Sequence, residues 1–280
     1  MTPGTAAAHF NFEVWEDGAD PATYERTKAL IHFSTIQRPY SKGHIRNWAR
    51  MTGNTSTSTD VGTGLLYQNP VGAEVTVVPS VNYVAGAWSF GEDVMTNVNI
   101  DPGLASEMER CLAEQSDSLA CALFPTLSQF RGAAGADIIA STWRNAIALL
   151  GQGTNGMAAP GEVTLYGIVD MSQLAAMMSI PEFTHAEIRG DDENPQVKGI
   201  FDKASGVLTM FTTILTTDPN GTHGCIWVPE AFAQGWNART TPYRQRLELQ
   251  NRLILANNFG VTVRHDLRAV AIRSNNVVGA

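Results

Sequence analysis

Glycine spacing between residues 151 and 156 is the first feature of this sequence that could support chemistry. The segment GQGTNG fits the pattern G-x-G-x-x-G, in which a helix that follows a strand points its amides at a pyrophosphate. Here the pattern follows a predicted helix and runs into MAAPG at 157–161, so it predicts a flexible loop instead. The sequence also lacks the G-x-x-x-x-G-K-[ST] phosphate loop.

Metal-capable side chains are dense in one acidic segment, within a loop that spans 185–195. The five are His185, Glu187, Asp191, Asp192 and Glu193. A calcium loop needs oxygen ligands at alternating positions, a central glycine and a distal glutamate, and this order does not supply them. His223 and Cys225 alternate on a predicted strand, but no second pair completes a zinc set. We therefore expect a solvated loop and no bound metal.

Nucleophilic and redox arrangements are equally incomplete. The sequence has no H-E-x-x-H, G-x-S-x-G or C-x-x-C motif, and its six histidines are scattered. Cys111 and Cys121 lie on one predicted helix, about 15 Å apart at 1.5 Å per residue, which is beyond disulfide reach. We expect these two and Cys225 to be reduced core thiols, and we predict neither enzyme activity nor a cofactor.

A basic stretch with two aromatic residues lies near the start of the chain. Its cationic residues are Arg38, Lys42, His44, Arg46 and Arg50, and Tyr40 and Trp48 lie among them. Such a stretch suits nucleic acid, through phosphate contacts and base stacking. It also suits an arm that pairs with acidic patches on a neighbouring protein. We favour the second interpretation, and the first stays open.

Composition excludes several classes of protein. Of the 280 residues, 44% are hydrophobic and only 16% charged, against about 25% charged in an average soluble protein, so the chain is not disordered as a whole. The net charge of −8 argues against a generally basic nucleic-acid binder. Neither a secretory signal nor a membrane-spanning helix is expected, because residues 1–8 lack a basic cluster and no run approaches 18 apolar residues. Low charge favours surfaces that are covered by protein.

The first third of the chain divides into an arm and an extended loop. Residues 1–59 predict an N-terminal arm without a continuous core-facing period. Residues 60–95 predict a long hairpin-like excursion rich in β-branched and aromatic residues. Its large apolar residues include Leu65, Leu66, Tyr67, Val75, Val77, Val81, Tyr83, Trp88 and Phe90. They have no evident partner in an adjacent amphipathic segment, so we predict that neighbouring subunits cover them.

The remainder predicts one long helix and then alternating helices and strands. Periodic apolar residues, among them Leu112, predict a helix over 102–124. A second helix is predicted over 137–150, with its inward residues being Ile138, Ile139, Trp143, Ala146, Ile147 and Leu150. Strands are predicted at 163–169, 207–217, 225–228, 261–264 and 270–273, helices at 171–178 and 229–236, and a turn at 218–221. The class is therefore α+β.

This order of parts resembles the major capsid proteins of tailed double-stranded DNA bacteriophages, which have the HK-ninety-seven-type shell fold. The resemblance implies a spine helix within a peripheral domain at 96–134 and an α/β axial domain at 135–245. It also implies that 246–280 return to the peripheral domain, with 259–264 and 269–272 as a terminal strand pair. The arm and the extended loop would then overlap neighbouring subunits.

The resemblance implies a structural function. Pentamers and hexamers would self-assemble into an icosahedral head shell that encloses double-stranded DNA without sequence-specific contacts. The protein would be made in the host bacterial cytoplasm and reside in the virion capsid, with no membrane partner and with separate scaffolding, portal and decoration proteins. Candidate intersubunit contacts are Arg38, Arg46, Arg50, Leu65, Leu66, Tyr67, Val75, Val77, Tyr83, Trp88 and Phe90.

Two alternatives stay open. Encapsulins, the bacterial nanocompartment shells, share this fold, and nothing in the sequence identifies a cargo. A soluble α/β enzyme or ligand-binding protein would instead use the loop His185–Pro195. The chain has only four lysines and none in 60–95, so the lysine–asparagine cross-link of some relatives is not expected from that loop.

Overall fold

The computed structural model describes most of the chain from residue 46 onward. The described ranges are 46–52, 71–78, 80–89, 100–151, 163–184, 203–247 and 250–275. The strands are β1 Arg46–Thr52, β2 Val71–Val77, β3 Ser80–Ser89, β4 Phe130–Gly132, β5 Leu165–Asp170, β6 Lys203–Ala204, β7 Val207–Thr212, β8 Thr217–Asp218, β9 Gly221–Trp227, β10 Phe232–Leu247, β11 Gln250–Val263 and β12 Ala269–Ser274. The helices are α1 Ile100–Cys121, α2 Ala140–Gly151, α3 Gln173–Met178 and α4 Pro181–Thr184, with short 3-10 turns at Phe124–Thr126 and Asp266–Arg268.

A mixed seven-stranded sheet organises the second half of the chain. Its strand order is β4-β12-β9-β5-β7-β6, and β8 pairs with β9. The pairs β4/β12 and β5/β7 are parallel, whereas β9 runs antiparallel to both β5 and β12. The sheet is covered on both faces, so β5 and β9 are almost continuously buried. The α+β class predicted from the sequence is confirmed.

Two apolar cores cover the two faces of this sheet. The first contains the end of α1, Phe124, Trp227 and the start of β10 at Phe232. Phe124 stacks on Trp227 with ring centroids 6.1 Å apart. The second core contains α2, α3 and α4 with Trp143 at its centre, and Trp143 Nε1 donates a hydrogen bond to the carbonyl of Ala204 at 3.0 Å. Because successive strand residues face opposite sides, adjacent residues of β9 serve different cores.

The predicted turn at 218–221 is confirmed. Asp218 and Gly221 pair across a two-residue loop that joins β8 to β9. Gly221 has φ +102°, and a Cβ there would lie 2.6 Å from the carbonyl oxygen of Ser274. Only glycine fits this position, because the backbone is left-handed and the neighbouring strand is too close for a side chain.

The long helix predicted over 102–124 is also confirmed. As α1 it runs over Ile100–Cys121, so its 22 residues span about 33 Å. Met108 and Leu112 pack with Leu253 and Leu255 of β11 in a third core. Near its other end α1 enters the first core. One helix therefore supports both the seven-stranded sheet and a separate three-stranded sheet.

That second sheet has the order β10-β11-β3, with both pairs antiparallel. The hairpin predicted within 60–95 is therefore wrong in its pairing. β2 pairs with β1, from Arg46 opposite Val77 to Thr52 opposite Val71, and β3 joins β11 instead. The sequence could not show this, because β3 and β11 are separated by more than 150 residues and their pairing depends on tertiary packing.

Three further expectations are wrong. Residues 229–236 do not form a helix, because Phe232 begins β10 and pairs with Val263. Ile139, predicted to point inward, is 55% exposed immediately before α2 begins. The expected terminal strand pair does not form, since 259–263 belong to β11 whereas 269–274 insert between β4 and β9. No helix in the described ranges is long and apolar enough to cross a membrane.

Candidate assembly surfaces

The β1–β2 pair carries several of the predicted intersubunit residues. Arg46 lies opposite Val77 and Arg50 opposite Ala73 in its register, while Val75 is half-buried. These seven-residue strands form a sheet of their own. The predicted contacts that lie outside the described residues are Arg38, Leu65, Leu66, Tyr67 and Phe90.

Val77 departs from the predicted role. Its side chain is fully buried within its own chain. It lies over Gly235 on β10, where a Cβ would be 3.6 Å from Val77 Cγ1. Val77 therefore anchors the end of β2 on the three-stranded sheet, and it offers no surface to a neighbouring subunit. A valine and a distant glycine leave no joint signal in the sequence, so this contact was missed.

The three-stranded sheet has exposed side chains along β3, on the face that points away from α1. Along β3, exposed residues alternate with half-buried ones, and Val81 and Tyr83 are 66% and 70% exposed. Val84, on the opposite face, packs against the third core. Trp88 lies opposite Asn251 near the end of the same strand. The result is an apolar strip that the described part of the chain does not cover.

Charged residues of α1 lie on the side exposed to solvent. Arg110 forms ion pairs with Glu107 and Glu114, one turn away in each direction. The hydrogen bond and the charge of Glu107, together with Glu114, raise the pKa of the Arg110 guanidinium above its usual range. All three side chains are about half exposed, so these pairs contribute little to the stability of the fold.

A cavity of about 380 Å³ lies beside these residues, between α1 and the segment that follows β7. Ala113, Asp117, Thr212 and Ile214 line it together with Arg110. The cavity marks the place where the long helix and the seven-stranded sheet pack incompletely. Arg110 is already committed to the two glutamates, so the cavity offers no free cation for an anionic ligand.

Buried polar chemistry is concentrated at the β8–β9 hairpin. His223 is 1% exposed, and its Nε2 lies 2.9 Å from Asp218 Oδ1. Asp218 Oδ1 also accepts a hydrogen bond from the backbone amide of Asn220 at 2.7 Å. The hydrogen bond from His223 is the main reason why the pKa of Asp218 is lowered. His223 therefore stabilises the hairpin, and its pairing with Asp218 was not predicted, because no motif links the two residues.

The cysteines are free thiols, as predicted. Cys121 and Cys225 are both fully buried in the first core, and burial raises the pKa of each thiol well above its usual range. Such thiols are poor nucleophiles, because the thiolate is the reactive form. Cys111 is half-buried on α1 rather than part of a core.

The other predicted sites are only partly within the described residues. The loop 185–195 lies outside them, and of the glycine-rich segment only Gly151, the last residue of α2, is described. Where the structure describes the chain, no three His, Cys, Asp or Glu side chains lie close enough to share a metal ion.

Several solved structures that share this architecture are phage capsids. The chain aligns with the capsid of cyanophage P-SCSP1u at a TM-score of 0.68 and 12% identity, over 90% of each chain. It aligns with the capsid of Helicobacter pylori bacteriophage KHP30 at a TM-score of 0.69 and 12% identity, over 87% of this chain and 88% of that one. A virus-like particle from Pyrococcus furiosus matches at a TM-score of 0.60 and 10% identity, over 94% and 99%. No family model matches the sequence, and neither does any curated protein.

These likenesses establish the fold. A TM-score near 0.7 over nine-tenths of both chains requires the same elements in the same order. The chain has the HK-ninety-seven-type fold of phage capsid proteins, as the order of its parts predicted. At 10–12% identity the likeness is one of backbone arrangement.

Proposed function

We propose that this chain is a major capsid protein, which self-assembles into the icosahedral head shell of a tailed phage around double-stranded DNA. One observation carries the proposal: capsid subunits share its fold across nearly their whole length. The same likeness supports a structural role rather than an enzymatic one, without a cofactor.

Surface properties support this function. Tyr83 and Val81 are large, exposed and adjacent on one face of a strand. In a monomer these apolar side chains would be exposed to water, which is unfavourable, whereas a shell subunit buries them against its neighbours. The proposed intersubunit contacts are the exposed Val81 and Tyr83 and the half-buried Val75, together with Trp88, Arg46 and Arg50 on the same strands. Repeated in every copy, weak contacts of this kind sum to a stable shell.

The domains of the proposed subunit follow the sheets. The seven-stranded sheet with α2, α3 and α4 is the axial domain, and α1 with the three-stranded sheet is the peripheral domain. The extended loop begins at Arg46 rather than at residue 60, because β1 and β2 are its two paired strands. The last strand, β12, belongs to the axial domain, since it lies inside the seven-stranded sheet.

The negative net charge of the chain is compatible with a shell that encloses DNA. The net charge of −8 lets the shell confine a polyanion without binding it tightly, which favours contacts that do not depend on DNA sequence. The protein is made in the host bacterial cytoplasm and ends in the virion capsid. Scaffolding, portal and decoration functions fall to separate proteins, and no membrane is involved.

Sedimentation of the purified full chain tests the proposal. We expect capsomers and closed particles, in proportions that change with protein concentration and salt. A single small species at every concentration and salt would overturn it and would favour a soluble α/β protein. The nanocompartment alternative has the weaker structural support, a TM-score of 0.60 against 0.68 and 0.69.

A further inference from the structure

The turn between β8 and β9 contains one of the two Asn-Gly pairs in the sequence. The pairs are Asn155-Gly156 and Asn220-Gly221, and the second lies within the described residues. Asparagine before glycine is chemically labile, because the backbone nitrogen of the glycine can attack the side-chain carbonyl of the asparagine. Glycine has no side chain to hinder that approach. Asn220 is exposed, so water reaches it.

Asp218 binds both nitrogen atoms of Asn220. Its Oδ1 accepts a hydrogen bond from the backbone amide of Asn220 at 2.7 Å, and its Oδ2 accepts one from Asn220 Nδ2 at 3.4 Å. The carboxylate is positioned in turn by His223, whose Nε2 lies 2.9 Å from Oδ1. The side-chain amide of Asn220 is therefore restrained on the side of β8.

The attacking nitrogen, the backbone amide of Gly221, is also engaged. Asp218 is paired with Gly221 in the hairpin register, and the amide of His223 donates to the carbonyl of Thr216 at 3.0 Å. Because hydrogen-bonded pairs recur at every second residue of an antiparallel ladder, the amide of Gly221 donates to the carbonyl of Asp218. This amide must leave the ladder before it can form a new bond.

Close packing limits rotation of the backbone at Gly221. Its φ is +102°, and a Cβ on this residue would lie 2.6 Å from the carbonyl oxygen of Ser274 and 3.2 Å from the Cα of Ala134. Ser274 belongs to β12, which is paired with β9. While the two strands remain paired, the peptide unit that would have to turn toward the side chain of Asn220 has little room to do so.

We propose that Asn220 is a deamidation site that the β8–β9 hairpin keeps closed, and that it reacts only when the hairpin opens locally. In the open hairpin, the nitrogen of Gly221 forms a bond to Asn220 Cγ, the bond from Cγ to Nδ2 breaks, and the proton of the Gly221 amide leaves with Nδ2 as ammonia. Water then opens the cyclic imide at either of its carbonyls, which yields aspartate or isoaspartate at position 220. Water is consumed, ammonia is released, and no oxidant or cofactor is needed.

The product would weaken the hairpin that had protected the site. The new carboxylate would lie beside that of Asp218, which now accepts a hydrogen bond from Nδ2, so an attraction would become a repulsion between like charges. Isoaspartate also adds a carbon atom to the backbone, which the two-residue loop between Asp218 and Gly221 cannot accept without a change of register. Deamidated chains should therefore open this hairpin more often than unmodified ones.

Peptide mapping of the full chain by mass spectrometry measures the reaction. Samples are kept warm for several weeks in native buffer and in denaturant, and the aspartate and isoaspartate peptides of both Asn-Gly pairs are quantified. We expect Asn220 and Asn155 to react at similar rates in denaturant. In native buffer Asn220 should react more slowly than in denaturant by roughly tenfold or more, because an opening that costs about 1.4 kcal/mol lowers the open population tenfold.

Two variants test which contacts keep the site closed. Asp218→Ala removes the acceptor of both nitrogens of Asn220, and Thr217→Val removes the 3.0 Å hydrogen bond between the Oγ1 atoms of Thr217 and Thr222. Both should speed the reaction of Asn220 several-fold in native buffer and leave its rate in denaturant nearly unchanged. Glu182→Gln, which removes an exposed carboxylate on α4, is the matched control and should change neither rate. If Asp218→Ala does not fold, Thr217→Val decides.

Three results would overturn the inference. Equal rates for Asn220 in native buffer and in denaturant would show that the hairpin gives no protection. A failure of Asn220 to react in denaturant, while Asn155 does, would show that it is not a deamidation site. Unchanged native rates in the folded variants would show that the contacts of Asp218 and Thr217 do not keep it closed. None of these measurements depends on assembly, so each of these results would leave the proposed function standing.

Discussion

Asp218 and His223 join the two strands of the β8–β9 hairpin at one end of the seven-stranded sheet. His223 is almost completely buried, and its Nδ1 has no hydrogen-bond partner among the described residues. Its Nε2 contacts the carboxylate of Asp218, which is about one-third exposed. The carboxylate thus offsets part of the cost of burying an imidazole.

We predict that Asp218→Asn destabilises the protein at about pH 7 and that the difference shrinks in acid. The hydrogen bond from His223 holds the pKa of Asp218 below its usual range. A carboxyl with a lowered folded-state pKa stabilises the fold above its unfolded-state pKa, and this contribution is lost as the pH falls through the folded-state value. Urea unfolding of both proteins between about pH 7 and pH 3 measures how the difference in their free energies of unfolding depends on pH.

Glu182→Gln is the matched control, because it removes a carboxylate that lies 3.7 Å from Arg144 in an exposed pair. We expect it to change stability little at any pH. If Asp218→Asn lowered the free energy of unfolding equally at all pH values, the amide would simply be a poor steric replacement for the carboxylate. That result would contradict the electrostatic account of the hairpin.

Leu112 of α1 belongs to the third core. It is fully buried against Met108, Leu253 and Leu255. Leu112→Asp places an unpaired charge in that core, and we predict a loss of roughly 4 kcal/mol or more in the free energy of unfolding. Gln115→Asp, one turn away on the exposed side of the same helix, should cost less than about 1 kcal/mol. Denaturant unfolding compares them, and similar losses would contradict the assigned helix face.

Elements with their own local signal were predicted well from the sequence. The periodic apolar residues of α1, the β8–β9 turn and the core strand β5 are each marked by residues within the element. The pairing of β3 with β11 and of β1 with β2 has no local signal, because register between distant strands is decided by which faces pack. Of the candidate contacts, Val77 and Tyr83 are both large residues with high strand propensity, so the sequence does not distinguish them. Only the fold shows that Val77 is buried and Tyr83 is exposed.

The β1–β2 pair is the element whose removal should separate assembly from folding. Arg46 and Val77 are directly opposite in the register, so their Cα atoms lie about 5 Å apart and a short Gly-Ser linker can replace 47–76. Val77 and β3 are retained, so the third core and the three-stranded sheet keep their contacts. We predict a folded chain whose unfolding temperature changes by less than about 4 °C and which forms no closed shell.

Circular dichroism during heating and electron microscopy of the same sample measure the two properties. A linker of equal length inserted between Ser205 and Gly206, which are exposed in the turn between β6 and β7, controls for the added flexible residues and should leave folding and assembly intact. Unfolding of the 47–76 variant would show that the pair belongs to the intramolecular core. Normal shells would show that it is dispensable.

At the scale of the whole molecule, the properties of the chain fit a subunit better than a free protein. Only 16% of its residues are charged, and its exposed apolar residues include Val81 and Tyr83 on one face of β3. A subunit of the proposed shell would cover such residues with its neighbours, whereas a monomer would leave them exposed to water.

Electron cryo-microscopy of particles formed by the purified full chain tests the central claim most directly. The account predicts closed icosahedral shells in which the same chain occupies both fivefold and sixfold positions, with β1–β2 of one subunit against the three-stranded sheet of the next. A chain that stays monomeric under every concentration and salt condition, or that forms only a small oligomer with the Val81–Tyr83 face open to solvent, would contradict it.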